Sequence, residues 1–263
     1  MRIALGIEYD GTGFCGWQRQ AEGRTVQGCV EQALSTVADH DVQVVCAGRT
    51  DTGVHATGQV IHFDTGAIRA PRAWLRGGNA RLPHDIRVQW ATPVDAAFHA
   101  RFAARQRHYR YVILNRGCGS ALLHTRTCRE YLRLDALRMA TAAGLLEGEH
   151  DFTSFRASAC QATHAIREIH AISATREGDV INLDVTANGF LYHMVRNIAG
   201  SLIRVGRGEA SPAWLRELLN VQDRKQAAPT AQPDGLYFLG ARFPEQYGLP
   251  GHTAAFPGHE TGA

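Results

Sequence analysis

The feature that most constrains this chain is an order of hydrophobic periods that occurs twice. Ile3, Leu5, Ile7 and Tyr9 recur at period two, the pattern of a half-buried strand. Thr25 can cap a helix whose apolar stripe runs Val26, Val30, Ala33, Leu34 and Val37. "VQVVCAG" and "GQVIHFDT" then read as strands, "PRAWLRGG" as a short helix, and "IRVQWATPV" as a strand. From "RHYRYVIL" the order begins again. A helix capped by Asp135 runs to Gly148, and "IREIHAISAT" and "VINLDVTA" form a hairpin about Glu177-Gly178-Asp179. A helix over about 190–205, another opening at Ser211-Pro212, and the strand "GLYFLGARF" complete it. Two successive β-α-β-β-α-β units are the split βαβ, ferredoxin-like arrangement written twice. The expected fold class is α+β: two ferredoxin-like halves with mixed, mainly antiparallel sheets, separate or joined, flanked by helices. The halves are expected over 1–103 and 104–246, meeting near "HARFAARQRH", with the Pro- and Gly-rich 247–263 as a flexible tail.

Composition excludes more than it selects. The chain has 263 residues, 44% apolar and 20% charged, as an ordinary soluble globular protein has. No apolar run approaches the ~18 residues of a membrane span. "MRIALGIEYDG" turns acidic at Glu8 and Asp10 and reads as a first strand, not a leader, so the cytoplasm is expected. The six cysteines make no C-x-x-C pair and the thirteen histidines no H-E-x-x-H, so no metal site is expected. Net charge is only +3, but Lys225 is the sole lysine among 28 basic residues. Guanidinium groups bind phosphate bidentately and stack on bases, which suits RNA; a coding bias toward arginine accounts for the same count. Position has to decide.

The densest chemistry lies in "AGRTDTGVHATGQ", where Arg49, Asp51 and His55 crowd one turn after a strand. Asp-Thr-Gly is also the tripeptide of aspartic proteases. Those enzymes need two carboxylates sharing a proton; the triplet recurs at Asp64-Thr65-Gly66, but Arg49 stands just before the first, and a nearby guanidinium favours two ionised carboxylates over a shared proton. A phosphate-binding loop fails as well, because G-x-x-x-x-G-K-[ST] is absent and Asp51 would repel the anion. A plain polar turn, with Gly53 at positive φ, is the bland alternative. Two other segments weigh against it. "FHARFAARQRHYR" sets Arg101, Arg105, Arg107 and Arg110 beside Tyr109, with Tyr111 following, a mixture suited to base stacking and phosphate neutralisation or to a tyrosine core face with solvated arginines. In "FLYHMVRNIAGSLIRVGRGE" the stripe Leu191, Val195, Ile198, Leu202, Val205 is a helix's core face, with His193, Arg196, Gly200 and Arg207 on an adjacent one. Arg196 beside a buried stripe needs an anion, which a structural carboxylate, an RNA phosphate or Asp51 could supply.

Taken together, "YDGTGFCGWQRQ", "CAGRTDTGVHATGQVIHF", "FHARFAARQRHYRYVI", "DFTSFR" and "HMVRNIAGSLIRVG" resemble the tRNA pseudouridine synthase A family, in the family's order from Ile3 to Phe243. Members commonly have alanine where Thr52 stands here. The resemblance implies the pseudouridine synthase fold and isomerisation of uridine to pseudouridine at nucleotides 38, 39 and 40 of the tRNA anticodon arm. It implies a homodimer with tRNA across both subunits and no cofactor. It makes Asp51 the catalytic aspartate and Tyr109 the tyrosine packed on the target base. Arg196 becomes the cation that pairs with the carboxylate, and Arg49 helps hold the flipped nucleotide. Arg101 and Arg105 are the further expected RNA contacts. A non-catalytic RNA-binding module is the alternative, and Asp51 discriminates, because an acidic group in an RNA groove is a liability for binding alone.

Overall fold

Strand β1 (Arg2–Tyr9) is buried at every position from Ile3 to Ile7, so the expected half-buried strand is covered on both faces. It lies between β3 (His55–Asp64) and β4 (Ile86–Val94), antiparallel to each. The structure, a computed structural model, describes residues 1–250. It divides into one unit of Met1–Arg105 with the described residues from Phe238 on, and a second of Gln106–Tyr237.

In the first unit, α1 (Val26–Ala38) begins where the Thr25 hydroxyl accepts the Gly28 N–H at 3.3 Å, as its sequence predicts. β2 shrinks to Val45–Cys46 from the longer strand expected there. The reason is local: the Val42 and Val44 N–H groups donate to Ser35 Oγ and Glu31 Oε1 of α1, not to a neighbouring strand. α2 (Pro71–Arg81) starts with proline at its first position and runs through Gly77 and Gly78. The strand order β4-β1-β3, with β2 on β3, is that of a ferredoxin-like half. The segment of β10 (Leu236–Arg242) from Phe238 onward also lies beside β3, so those residues join this unit, whereas the sequence reading kept all of 104–246 together. Trp74 of α2 and Phe63 of β3 meet edge to face at 5.0 Å in the core. Of the tail expected over 247–263, all but the start lies outside the described residues; Tyr247 packs edge-on against the buried Phe98 at 5.0 Å.

The second unit contains β5 (Gln106–Asn115), β6 (Cys128–Glu130), α3 (Ala136–Gly144), β7 (Gly148–Asp151), β8 (Ile166–Glu177), β9 (Val180–Ala187), α4 (Met194–Gly206) and α5 (Trp214–Val221). Strand order β5-β9-β8-β7 is antiparallel throughout, and β6 adds a parallel pair on β5, so the class is α+β with mixed strands. β6 and β7 were not expected: three or four residues are too few to show a period. Gly148, at φ 95°, opens β7, so α3 stops at Gly144 short of the expected end. α4 starts at Met194, not near 190, because His193 at φ 61° breaks the helical path before it. α5 begins beyond Ser211-Pro212, after a turn closed by the Trp214 N–H on the Ser211 carbonyl. No helix among the described residues is long and apolar enough to cross a membrane.

Trp74 is fully buried, yet its indole N–H has no acceptor among the described residues. Trp74→Ala is expected to cost about 3–5 kcal/mol, as truncation of a core aromatic does. Trp74→Phe should cost distinctly less, because a ring still fills most of the site and the lost indole N–H leaves no acceptor unpaired. Urea denaturation of both variants checks this; equal losses would show that the phenyl ring does not pack in the indole's place.

Candidate active site

Asp51 stands in the loop between β2 and β3, half-buried, and its neighbours fix the loop's backbone from several sides. Gln59, wholly buried on β3, donates to the Gly48 carbonyl at 2.6 Å and accepts the Gly48 N–H at 3.3 Å. Thr50 shares a hydrogen bond with the Tyr9 hydroxyl of β1 at 2.8 Å, and its carbonyl accepts the Trp17 N–H at 3.0 Å. Burial pushes the Tyr9 hydroxyl pKa far up, so it stays protonated and available to this bond. Past Asp51, Gly53 at φ 78° donates to the Phe14 carbonyl at 3.4 Å, and the Val54 N–H turns back on the Asp51 carbonyl at 3.2 Å.

A second glycine makes the cradle possible. Gly16, at φ 92°, would place a Cβ 2.9 Å from the Thr50 carbonyl and 3.1 Å from the Asp51 carbonyl carbon. Only a residue without one lets segment 14–17 lie against the aspartate's own peptide. At the loop's far end, His55 is buried with Nδ1 3.1 Å from Asp10 Oδ1 and 3.0 Å from the Gly11 nitrogen. One ring nitrogen cannot serve both groups at once. As an acceptor it takes the Gly11 N–H, and as an N–H it donates to Asp10; the contact with His55 is the main reason the Asp10 carboxyl titrates far below the usual range. Arg49 is exposed in the same loop.

Tyr109 and Arg196 belong to the second unit. Tyr109, on β5, is 7% exposed and meets Phe190 edge to face at 5.0 Å. Tyr111 shares its face but is wholly enclosed, with its hydroxyl donating to the Gln232 carbonyl at 2.7 Å. The opposite face is spent internally. Arg110 forms a two-point ion pair with Asp184, its register partner on β9, at 2.9 and 3.1 Å, and His108 adds a third contact at 3.3 Å. Burial alone would raise the Asp184 pKa; the bonds from His108 and Arg110 outweigh it and lower the value. On the tyrosines' own face, Arg107 donates to the Asn188 carbonyl at 2.9 Å. The solvated arginine face therefore holds only in part.

Arg196 sits in the first turn of α4, whose core stripe from Leu191 through Val205 is buried as expected. It is clasped by segment 224–231. Arg196 Nε donates to the Ala231 carbonyl at 2.9 Å, and the Ala231 N–H returns to the Arg196 carbonyl at 3.2 Å. This strap is anchored by Asn197, fully buried on the same helix. Asn197 Oδ1 accepts from Thr230 at 2.7 Å and from Arg224 at 3.0 Å, while Nδ2 donates to the Phe155 carbonyl at 2.8 Å. Gly200, one turn on, is where a Cβ would overlap the Pro229 carbonyl. Asn197 and the strap escaped the sequence reading. The available signal was the glycine inside an otherwise apolar helix, which marks a close backbone approach.

Arg101 and Arg105 lie exposed in the first unit, on the connection 95–105. The Arg105 N–H donates to the Arg242 carbonyl at 2.9 Å. The first unit thus groups Asp51 with Arg49 in one loop and Arg101 with Arg105 in another, and the second holds Tyr109 and Arg196 on separate elements.

The Asp10–His55 contact yields a pH signature. A carboxyl whose folded pKa is depressed adds stability that is complete above its unfolded pKa and is lost as pH falls through the folded value. Asp10→Asn should therefore lower the melting temperature at neutral pH, and the gap to the parent chain should close only below about pH 4. Thermal melts between about pH 3 and 7 test this; a gap that closes near neutrality would remove the assignment.

A family model described as tRNA pseudouridine synthase matches residues 6–103 and 142–244, spans that include the Asp51 loop and α4. Curated proteins called tRNA pseudouridine synthase A align over 250 residues at high identity. The one from Shewanella sp. (strain MR-4) is 54% identical, covering 95% of this chain and 96% of its own. That from Nitrosococcus oceani is 52% identical with the same coverage. That from Vibrio campbellii is 52% identical over 95% of each chain. A family model that covers most of the chain, with relatives more than half identical over 95% of it, shows that the chain belongs to the tRNA pseudouridine synthase family.

Proposed function

We propose that this chain is a cytoplasmic homodimeric isomerase that converts uridine to pseudouridine at nucleotides 38, 39 and 40 of the tRNA anticodon stem-loop, with Asp51 as its catalytic carboxylate. The observation that carries the reading is one aspartate held on an immobilised loop inside "GRTDTGVHA", within the matched part of the chain. The nucleotide positions and the homodimer come from the family resemblance.

The reaction breaks the N1–C1′ bond, turns the uracil, and joins C1′ to C5. The hydrogen leaves C5 as a proton and N1 gains one, so no oxidant or hydrolytic water is consumed. A single carboxylate suffices. It acts as nucleophile at C1′ or at C6, or as the base that takes the C2′ proton. Each role needs Asp51 ionised while substrate encloses it, and the reading gives Arg196 the charge that favours this form. Tyr109 offers a ring to the target base and a hydroxyl that can carry the C5 proton away. The base must first leave its stack at a cost of a few kcal/mol, which aromatic and guanidinium contacts offset. That task falls to Arg49 at the flipped nucleotide, and Arg101 and Arg105 take phosphates.

Two variants test the assignment. Asp51→Asn should keep tRNA affinity within a few-fold while release of the C5 hydrogen from labelled uridine falls by at least about a thousandfold. Turnover retained in that variant would reject the carboxylate's role. Gly200→Ala should lower kcat toward about a hundredfold, because it pushes away the strap that orients Arg196, with much less effect on tRNA affinity. A folded variant with parental kcat would separate the strap from catalysis.

A further inference from the structure

The connection from β4 to β5 displays an aromatic ring that the proposed reaction does not use. Phe102 is 76% exposed, though it follows a tightly folded segment. Phe98 is wholly buried against Phe243 and Tyr247, with ring centroids 5.4 and 5.0 Å away. The Ala100 N–H donates to Nδ1 of the buried His62 at 3.1 Å. The Phe102 and Ala103 N–H groups both return to His99, at Nδ1 (3.2 Å) and the carbonyl (2.8 Å). The ring is thus held out from a fixed backbone, at none of the conformational freedom of a loose tip.

Its neighbours say what it suits. His99 stacks on one face of Phe102 at 4.3 Å and 25°, and itself contacts the His62 ring at 4.8 Å. With three-quarters of the residue open and His99 stacked on one face, most of the ring's remaining surface is exposed, with the Arg101 guanidinium over the ring at 5.6 Å. Burial pushes the His62 pKa down to about 4, and burial with the Arg2 charge lowers that of His99. The stack is therefore uncharged at neutral pH and does not bind phosphate itself. The cations are Arg101, with its guanidinium 5.6 Å from the Phe102 centroid, and exposed Arg105 three residues on. The remaining exposed members of 95–105 are Asp95, Ala96 and Ala97, so the ring is the one large apolar group this connection exposes. A protein interface places its aromatic anchors inside an apolar core; a lone flat ring flanked by guanidinium groups matches single-stranded nucleic acid.

We propose that Phe102 is a stacking platform for one unpaired base of the tRNA, with Arg101 and Arg105 taking the adjoining phosphates. The inference rests on the reading that tRNA is the substrate, and it adds a contact away from the reacting base. The base slides onto the ring's exposed surface and the His99–Phe102 pair continues beneath it.

The test compares Phe102→Ala, Phe102→Leu and Phe102→Trp with the parent chain by tRNA titration at several salt concentrations, with mass measured by light scattering. Phe102→Ala and Phe102→Leu should both bind tRNA roughly 5- to 100-fold more weakly, the loss expected for one stacked base, with an unchanged salt slope. Phe102→Trp should restore affinity, and mass should not change in any of them. Parental affinity in Phe102→Ala, or full rescue by leucine, overturns the platform. A loss that tracks dissociation of a dimer overturns it too and assigns the ring to a second copy of the chain. Failure of the underlying reading has its own mark: the parent chain would neither bind tRNA nor form pseudouridine in it. Arg101→Ala with Arg105→Ala should flatten the salt slope; if it does while Phe102→Ala binds normally, only the platform fails.

Discussion

The proposed catalytic role of Asp51 demands a fixed turn, and the hydrogen bonds of Thr50 hold that turn. Its side chain is held by Tyr9 and its carbonyl by Trp17, so the residue before Asp51 is tied to β1 and to segment 14–17. Each such bond is worth only about 1 kcal/mol net, but an unmade bond in a buried site costs more, so the set tends to form as a whole. The element order follows from this demand. β1 has to run centrally, between β3 and β4, for Tyr9 to reach the Asp51 loop from below.

The second unit solves the same problem with the same devices. In one case Gly16 lets a segment approach the Asp51 peptide, and in the other Gly200 admits the Pro229 carbonyl beside α4. In each, a wholly buried amide does the fastening: Gln59 holds both backbone groups of Gly48, and Asn197 holds the 224–231 strap and the Phe155 carbonyl. A side-chain amide offers donors and an acceptor together, so it can bind peptide groups without bringing a charge into the interior.

Periodicity exposed the parts of the fold that repeat over many residues, and chemistry exposed those that depend on residue type. The α1 and α4 stripes, the β8–β9 hairpin and the Asp51 turn were all legible. β6 and β7 were not, because pairs that short are decided by tertiary contact and not by their own pattern. The truncation of β2 was hidden because it depends on Glu31, a helical residue thirteen positions before the N–H it captures. His193 at φ 61° likewise cannot be inferred from type, since histidine adopts that conformation only where surroundings enforce it. The positioning residues Gln59, Asn197 and Gly16 were invisible for one shared reason: each acts on a segment distant along the chain.

The arginine bias shows why position had to outrank composition. Arg2 is bound to Asp64, Arg24 to Asp85, Arg110 to Asp184 and Arg207 to Glu130, each at 3.2 Å or less through at least one nitrogen. Arg156 and Arg224 donate to backbone carbonyls inside the second unit. These guanidinium groups are structural forks that match carboxylate and carbonyl geometry, and they contribute little to a field outside the protein. The exposed Arg49, Arg101 and Arg105 fall on the two connections that carry Asp51 and Phe102. A small net charge is therefore compatible with an RNA substrate: the surface needs cations where the nucleic acid lies, and several of the other arginines are taken up in holding the fold.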